Sequence, residues 1–178
     1  APEGVDVLAA ECREHGKGLL VPFGTVNPAL PDWEEDLRRC HTEHRMPGIR
    51  LNPNYHGYNL DDPRFAQVLT AAEKRGLIVQ LALSMEDERT QHPLMPVPHV
   101  DAAPLLDLLK ERPKLPFVLL NTFRSLPVAK IDKLAALKNV SFEIAMLEGV
   151  GGIEKLLEKV PPQRVLFGME TTDEMCLA

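Results

Sequence analysis

Residues 46–63 read MPGIRLNPNYHGYNLDDP, and within that stretch Arg50, Asn52, His56 and Tyr58 follow a short apolar run in quick succession. An arginine offers a planar fork of N–H donors that matches a carboxylate or a carbonyl oxygen, and an imidazole exchanges a proton near neutral pH. Two further polar groups follow later apolar runs: Met85-Glu86-Asp87-Glu88-Arg89 after LIVQLAL, and Glu170 after RVLFG. Carboxylates at such places can serve as bases, and a second arginine can orient a substrate. Arg50, His56, Asp87 and Glu170 are thus the candidate catalytic residues, with Asn52, Tyr58 and Arg89 as candidate substrate-binding residues. Each has a plainer alternative. Arg50 can be paired with Glu86 or Asp87, His56 can be bonded to loop backbone, Asp87 and Arg89 can tie down a long loop, and Glu170 can sit exposed in the tail.

The elements that would have to position these groups are legible as six apolar runs at 18–26, 48–52, 77–83, 117–121, 140–145 and 164–168, alternating with helical patterns. Their apolar character is continuous, as in parallel strands covered on both faces. Helix punctuation supports the alternation. Asp32 precedes WEEDLRRCHTEHR, Asp62-Pro63 opens RFAQVLTAAEKR, Gly76 closes that helix, Asp101 precedes AAPLLDLLKER, and Pro127 starts VAKIDKLAALK. The chain is α/β. No glycine-rich turn follows the first run, where Asn27-Pro28 stands instead, so a doubly wound nucleotide-binding sheet is disfavoured. Polar residues gathered after several strand ends suit a barrel, whose site lies at one rim.

Composition narrows the function further. The 178 residues carry a net charge of −6 with cations scattered among acids, so nothing draws a nucleic-acid backbone. No apolar run reaches the ~20 residues that span a bilayer, and three well-separated cysteines fit reduced thiols better than disulfides, which together predict a cytoplasmic protein without membrane contact. Cys40 and His44 lie at i, i+4 on one helix and could grip a metal, but no third ligand spacing follows, and a solvated helix face is the simpler reading.

Taken together, VPFGTVNP, MPGIRLNPNYHGY with the following LDDPRF, GLIVQLALSMEDERTQHP and RVLFG resemble the amidohydrolase-related family of metal-dependent hydrolases, from about Gly18 to Gly168. The resemblance implies a (β/α)8 TIM-barrel-like fold in which the six runs are the third to eighth strands, the first two being missing or not included, within a single domain over 1–178. It implies hydrolysis or decarboxylation of a small carboxylate, amide or lactone-like substrate. It also implies a divalent metal, zinc by expectation, whose ligands are not encoded here. The HxH pair of the first strand has no counterpart, the histidine expected near the end of the third run aligns with Ala82, that after PFVLL aligns with Asn121, and the closing aspartate aligns with Glu170. No metal ligand is therefore assigned. The alternative is a non-catalytic barrel that keeps a small-molecule pocket for binding or assembly. Six strands alone leave two unpaired edges, so a homo-oligomer or a further segment is expected to cover them.

Overall fold

The computed structural model describes residues 2–84, 92, 94 and 97–168. Helix α1 (Pro2–His15) precedes a six-stranded parallel sheet whose strands follow chain order: β1 Gly24–Thr25, β2 Gly48–Leu51, β3 Ile78–Ala82, β4 Phe117–Leu120, β5 Val140–Glu143 and β6 Val165–Leu166. The crossovers carry α2 (Trp33–Thr42), a short α3 (Pro53–His56), α4 (Pro63–Arg75), α5 (Leu105–Lys110), α6 (Val128–Ala135) and α7 (Gly152–Leu157). All five strand pairs are parallel.

Local chemistry sets most of these boundaries. The Asp62 carboxylate accepts from the Arg64 amide at 2.9 Å with Pro63 in the first turn, and Gly76, at φ 68°, donates back to the Ala72 and Glu73 carbonyls. Asp32 and Asp101 depart from the capping expectation. Asp32 makes no side-chain cap bond, and Asp101 instead accepts from the Ala103 amide at 2.8 Å, so α5 starts later, behind Pro104. The first apolar run yields only two ladder residues, because Pro22 has no N–H to donate and Leu19 to Val21 lie exposed ahead of it. The run at 164–168 likewise shrinks to Val165–Leu166, behind a 3₁₀ turn at Pro162–Arg164.

The two faces of the sheet differ. Ile49, Leu51, Val79, Leu81, Phe117, Leu119, Val140 and Phe142 alternate onto the face that meets the helices and are essentially inaccessible. The intervening residues form the opposite face, which lines the interior of a closed barrel. There the register places Thr25, Arg50, Gln80, Val118 and Ser141 side by side across five strands. Among the described residues this face is only partly covered: Thr25 and Arg50 are exposed, and Gln80 and Ser141 are half-buried. The barrel is not closed among the described residues. Among the described residues β1 and β6 pair on one side only, and Leu19, Leu20 and Phe167, close to them in sequence, are exposed. Among the described residues no helix is long and apolar enough to cross a membrane.

Close approach of β2 to β3 depends on Gly48, where a Cβ would come within 2.2 Å of the Ile78 carbonyl oxygen and 2.5 Å of the Phe23 ring. Gly24 similarly leaves room for Cys40, whose sulfur would meet an added Cβ. Cys40 is thus a core residue, which corrects its placement on a solvated helix face, and the His44 Nε2 lies 2.8 Å from an Asp6 carboxylate oxygen. Burial pushes the Cys40 thiol up to about 11, with the Asp36 carboxylate adding to the effect. At pH 8 that thiol stays protonated, so a disulfide-exchange reagent is expected to label it at least tenfold more slowly in the folded protein than in denaturant, as followed by peptide mass spectrometry. Labelling at the unfolded rate would contradict this burial.

Candidate active site

Arg50 sits next to the end of β2 on the open face, opposite Gln80 of β3. Its Nε donates to the Gln80 Oε1 at 3.0 Å. No described residue accepts from its two terminal nitrogens; Glu86 and Asp87, the acids considered as partners, lie outside the described residues. Packing pulls the guanidinium below its ordinary value, because desolvation disfavours charge, while the nearby Glu143 carboxylate pulls the other way. The group remains a cation, and two of its donor nitrogens donate to no described residue.

The segment after β2 is a compact turn. Asn52 leads into α3, where the His56 amide donates to the Asn52 carbonyl at 3.0 Å, and Gly57 at φ 68° reverses the chain so that the Tyr58 amide reaches the Pro53 carbonyl at 3.1 Å. His56 and Tyr58 stack at 6.4 Å between ring centroids, and Tyr58 leans on Phe65 of α4. Both polar atoms of this pair are enclosed: the His56 Nδ1 and the Tyr58 hydroxyl are buried without a hydrogen-bond partner among the described residues. Burial lowers the His56 value and raises that of Tyr58. Arg50 and His56 thus belong to the same end of the sheet, as expected. Asn52 is half-buried beside them, and Tyr58 is placed to support the turn through its ring. Asp87, Arg89 and Glu170 lie outside the described residues.

The lowered His56 value has a definite consequence for stability. The unfolded chain takes up a proton near pH 6.5, whereas the folded chain resists it to lower pH, so stability is present above pH 6.5 and is lost as the pH falls through the folded value. Melting temperature is expected to drop as the pH falls below about 6.5, and His56→Phe to flatten that slope. An unchanged slope in the variant would assign the effect elsewhere.

The strand tips carry a tie that the sequence pattern did not reveal. Glu143, only 6% exposed at the end of β5, accepts through one carboxylate oxygen from the Asn121 amide at 3.2 Å and through the other from the Ala145 amide. Asn121 adopts φ 54°, a left-handed conformation that asparagine tolerates, and its side-chain amide donates to the Ser84 carbonyl at 2.9 Å. The backbone of Gly168 packs so closely on the Glu143 carboxylate that any side chain there would collide with it. The ends of β3, β4, β5 and β6 are thereby joined through Asn121 and Glu143. Gln80 and Glu143 were missed as site residues because they sit inside apolar runs, yet a lone amide or carboxylate within such a run is itself the available signal.

These placements decide how well the residues present suit a divalent cation. Ala82 offers no donor atom, Asn121 offers a neutral amide where an imidazole would stand, and each Glu143 oxygen already accepts from a backbone amide. Among the described residues no group of three or more His, Cys, Asp or Glu could hold a metal ion. The described strand tips therefore do not fit a zinc-type ligand set.

Comparison with known proteins identifies the class. The family model for amidohydrolases matches residues 5–170, and the chain belongs to that family. Among solved structures, 2,6-dihydroxybenzoate decarboxylase from Rhizobium superimposes with a TM-score of 0.69 at 18% identity, over 95% of this chain and 65% of that one. A 5-carboxyvanillate decarboxylase from Novosphingobium aromaticivorans, solved with bound manganese and 3-methoxy-4-hydroxy-5-nitrobenzoic acid, gives a TM-score of 0.69 at 18% identity over 96% of this chain and 60% of that one. Likeness at this level establishes the fold, a (β/α)8 TIM-barrel-like arrangement. The curated relative 2-amino-3-carboxymuconate-6-semialdehyde decarboxylase from Dictyostelium discoideum is 42% identical over 45 residues, which are 25% of this chain and 12% of that protein. The chain spans less than two thirds of the length of these proteins.

Proposed function

We propose that this chain forms the substrate-holding part of an amidohydrolase-family enzyme that acts on a small carboxylate by decarboxylation or hydrolysis. The observation that carries the reading is Arg50, an arginine on the barrel-interior face whose Nε is held by Gln80 and whose terminal nitrogens donate to no described residue. A guanidinium so placed binds the two oxygens of a carboxylate end-on. In a decarboxylation the bond from carbon to the departing carboxyl group breaks, carbon dioxide leaves, and the electron pair left behind takes up a proton. A clamp on the departing group would stabilise the reactant more than the transition state, so Arg50 serves best on an oxygen that remains, where the developing charge collects. In a hydrolysis the same fork would polarise the carbonyl. His56, neutral above its lowered value, or Asp87 is the candidate for moving the proton, with Asn52 and Arg89 contributing to orientation and Glu170 a further candidate base. Family relatives named as decarboxylases of aromatic carboxylates favour that substrate class.

A second reading is favoured by the poor fit of Ala82, Asn121 and Glu143 to a metal: the protein retains the pocket for binding without turnover. Incubating the full-length protein with 2,6-dihydroxybenzoate and related carboxylates, following carbon dioxide release and measuring metal content on the same sample, separates the two. Turnover supports the enzyme. Carboxylate binding without turnover, at any metal content, supports the binding protein, and no binding of any carboxylate overturns both.

A further inference from the structure

We propose that Gln80 is a positioning residue that sets the plane of the Arg50 guanidinium and so dictates that an anion is met end-on. The inference rests on the reading of Arg50 as an anion clamp and adds a specificity element to it. Arg50 and Gln80 are separated by 30 positions in sequence, yet the parallel register of β2 and β3 makes them direct neighbours on the open face. Arginine Nε carries a hydrogen and can only donate, so the atom facing it at 3.0 Å has to be the Gln80 carbonyl oxygen. Two consequences follow from that polarity. The Nε edge of the guanidinium is occupied, which removes the side-on mode of carboxylate binding and leaves the edge formed by the two terminal nitrogens. The Gln80 amide group is turned away from Arg50 and, with no acceptor among the described residues, presents two further donors beside that edge.

The neighbouring row members reinforce the selection. Thr25 and Ser141 supply hydroxyls on flanking strands, and Val118 separates Gln80 from Ser141 with an apolar surface. Glu143 is the negative group whose field reaches Arg50, but no hydrogen bond joins the two, and its oxygens accept from the Asn121 and Ala145 amides. A cradle of donors beside an apolar strip suits a planar carboxylate that carries a second oxygen acceptor close to the first. It would reject an amine at that place, because an ammonium group has only donors to offer.

The test uses the full-length protein with benzoate as the probe, titrated calorimetrically, and the Arg50 Nε–Hε resonance as an independent readout. Gln80→Leu is expected to weaken benzoate about fivefold to tenfold and to speed exchange of the Arg50 Hε with solvent. Gln80→Glu keeps an acceptor and is expected to keep that hydrogen protected, while weakening benzoate through its added charge. Unchanged Hε exchange in Gln80→Leu overturns the proposal, as does unchanged benzoate affinity in that variant when Arg50→Ala has lost it. If Arg50→Ala itself leaves benzoate affinity intact, the clamp reading fails, and the Hε exchange alone then judges whether Gln80 sets the guanidinium plane.

Discussion

Replacing Arg50 by alanine is expected to weaken binding of a small aromatic carboxylate by about 10²-fold, since two charge-assisted hydrogen bonds at ~1.5 kcal/mol each are lost together. If the protein turns over such a substrate, kcat/KM should fall by a comparable factor, because an interaction lost from the bound substrate is lost from the transition state as well. Arg50→Lys should recover little of this: an ammonium is a point charge and cannot span two oxygens in one plane. Folding should be little affected, because among the described residues the side chain makes a single hydrogen bond, to Gln80, and that bond lies near solvent. Calorimetric titration beside a thermal melt checks both halves. A variant that binds benzoate within twofold of the wild type would remove the observation on which the functional reading stands.

Replacing Glu143 by alanine is expected to destabilise the fold by about 2–5 kcal/mol, since two backbone amides lose their acceptor and each costs ~1–3 kcal/mol when left unsatisfied away from water. The amides of Asn121 and Ala145 both converge on this one carboxylate, and the adjoining Gly168 backbone leaves no room for a larger side chain to fill in. Glu143→Gln should cost roughly half as much, because its amide keeps a single oxygen and turns an N–H₂ toward one of the two donors. Denaturant titration should show the midpoint falling with the slope unchanged. A midpoint unmoved by the alanine variant would mean that water replaces the carboxylate without loss, and the tie across the strand tips would then be decorative.

How far this protein can be read from its residues depends on the range of the interaction concerned. Asp62-Pro63 and Gly76 bound α4 as expected, since capping acts within a turn or two and needs no distant partner. The six parallel strands also emerge where apolar runs stand, although Pro22 trims the first of them to two residues. Asp101 misled because an Asx turn and a helix cap use the same side-chain oxygen, and the turn to Ala103 took it. Of the candidate site, Arg50, Asn52 and His56 share one end of the sheet because they share one strand and its loop, a matter of chain continuity. Gln80 and Glu143 escaped notice for the opposite reason: their importance comes from neighbours 30 and 22 positions away, which no local spacing encodes.

By itself, then, the order of residues determined the α/β alternation, the family, and the absence of imidazole where Ala82 and Asn121 stand, all of them properties of composition, period and identity. Tertiary structure alone decided that Cys40 belongs to the core, that the Tyr58 hydroxyl is enclosed, that the Gln80 amide oxygen meets the Arg50 Nε, and that Glu143 binds the strand tips together. The reason is that sheet register and helix packing choose which distant groups meet, and a hydrogen bond or a buried contact acts only over a few ångströms once they have met.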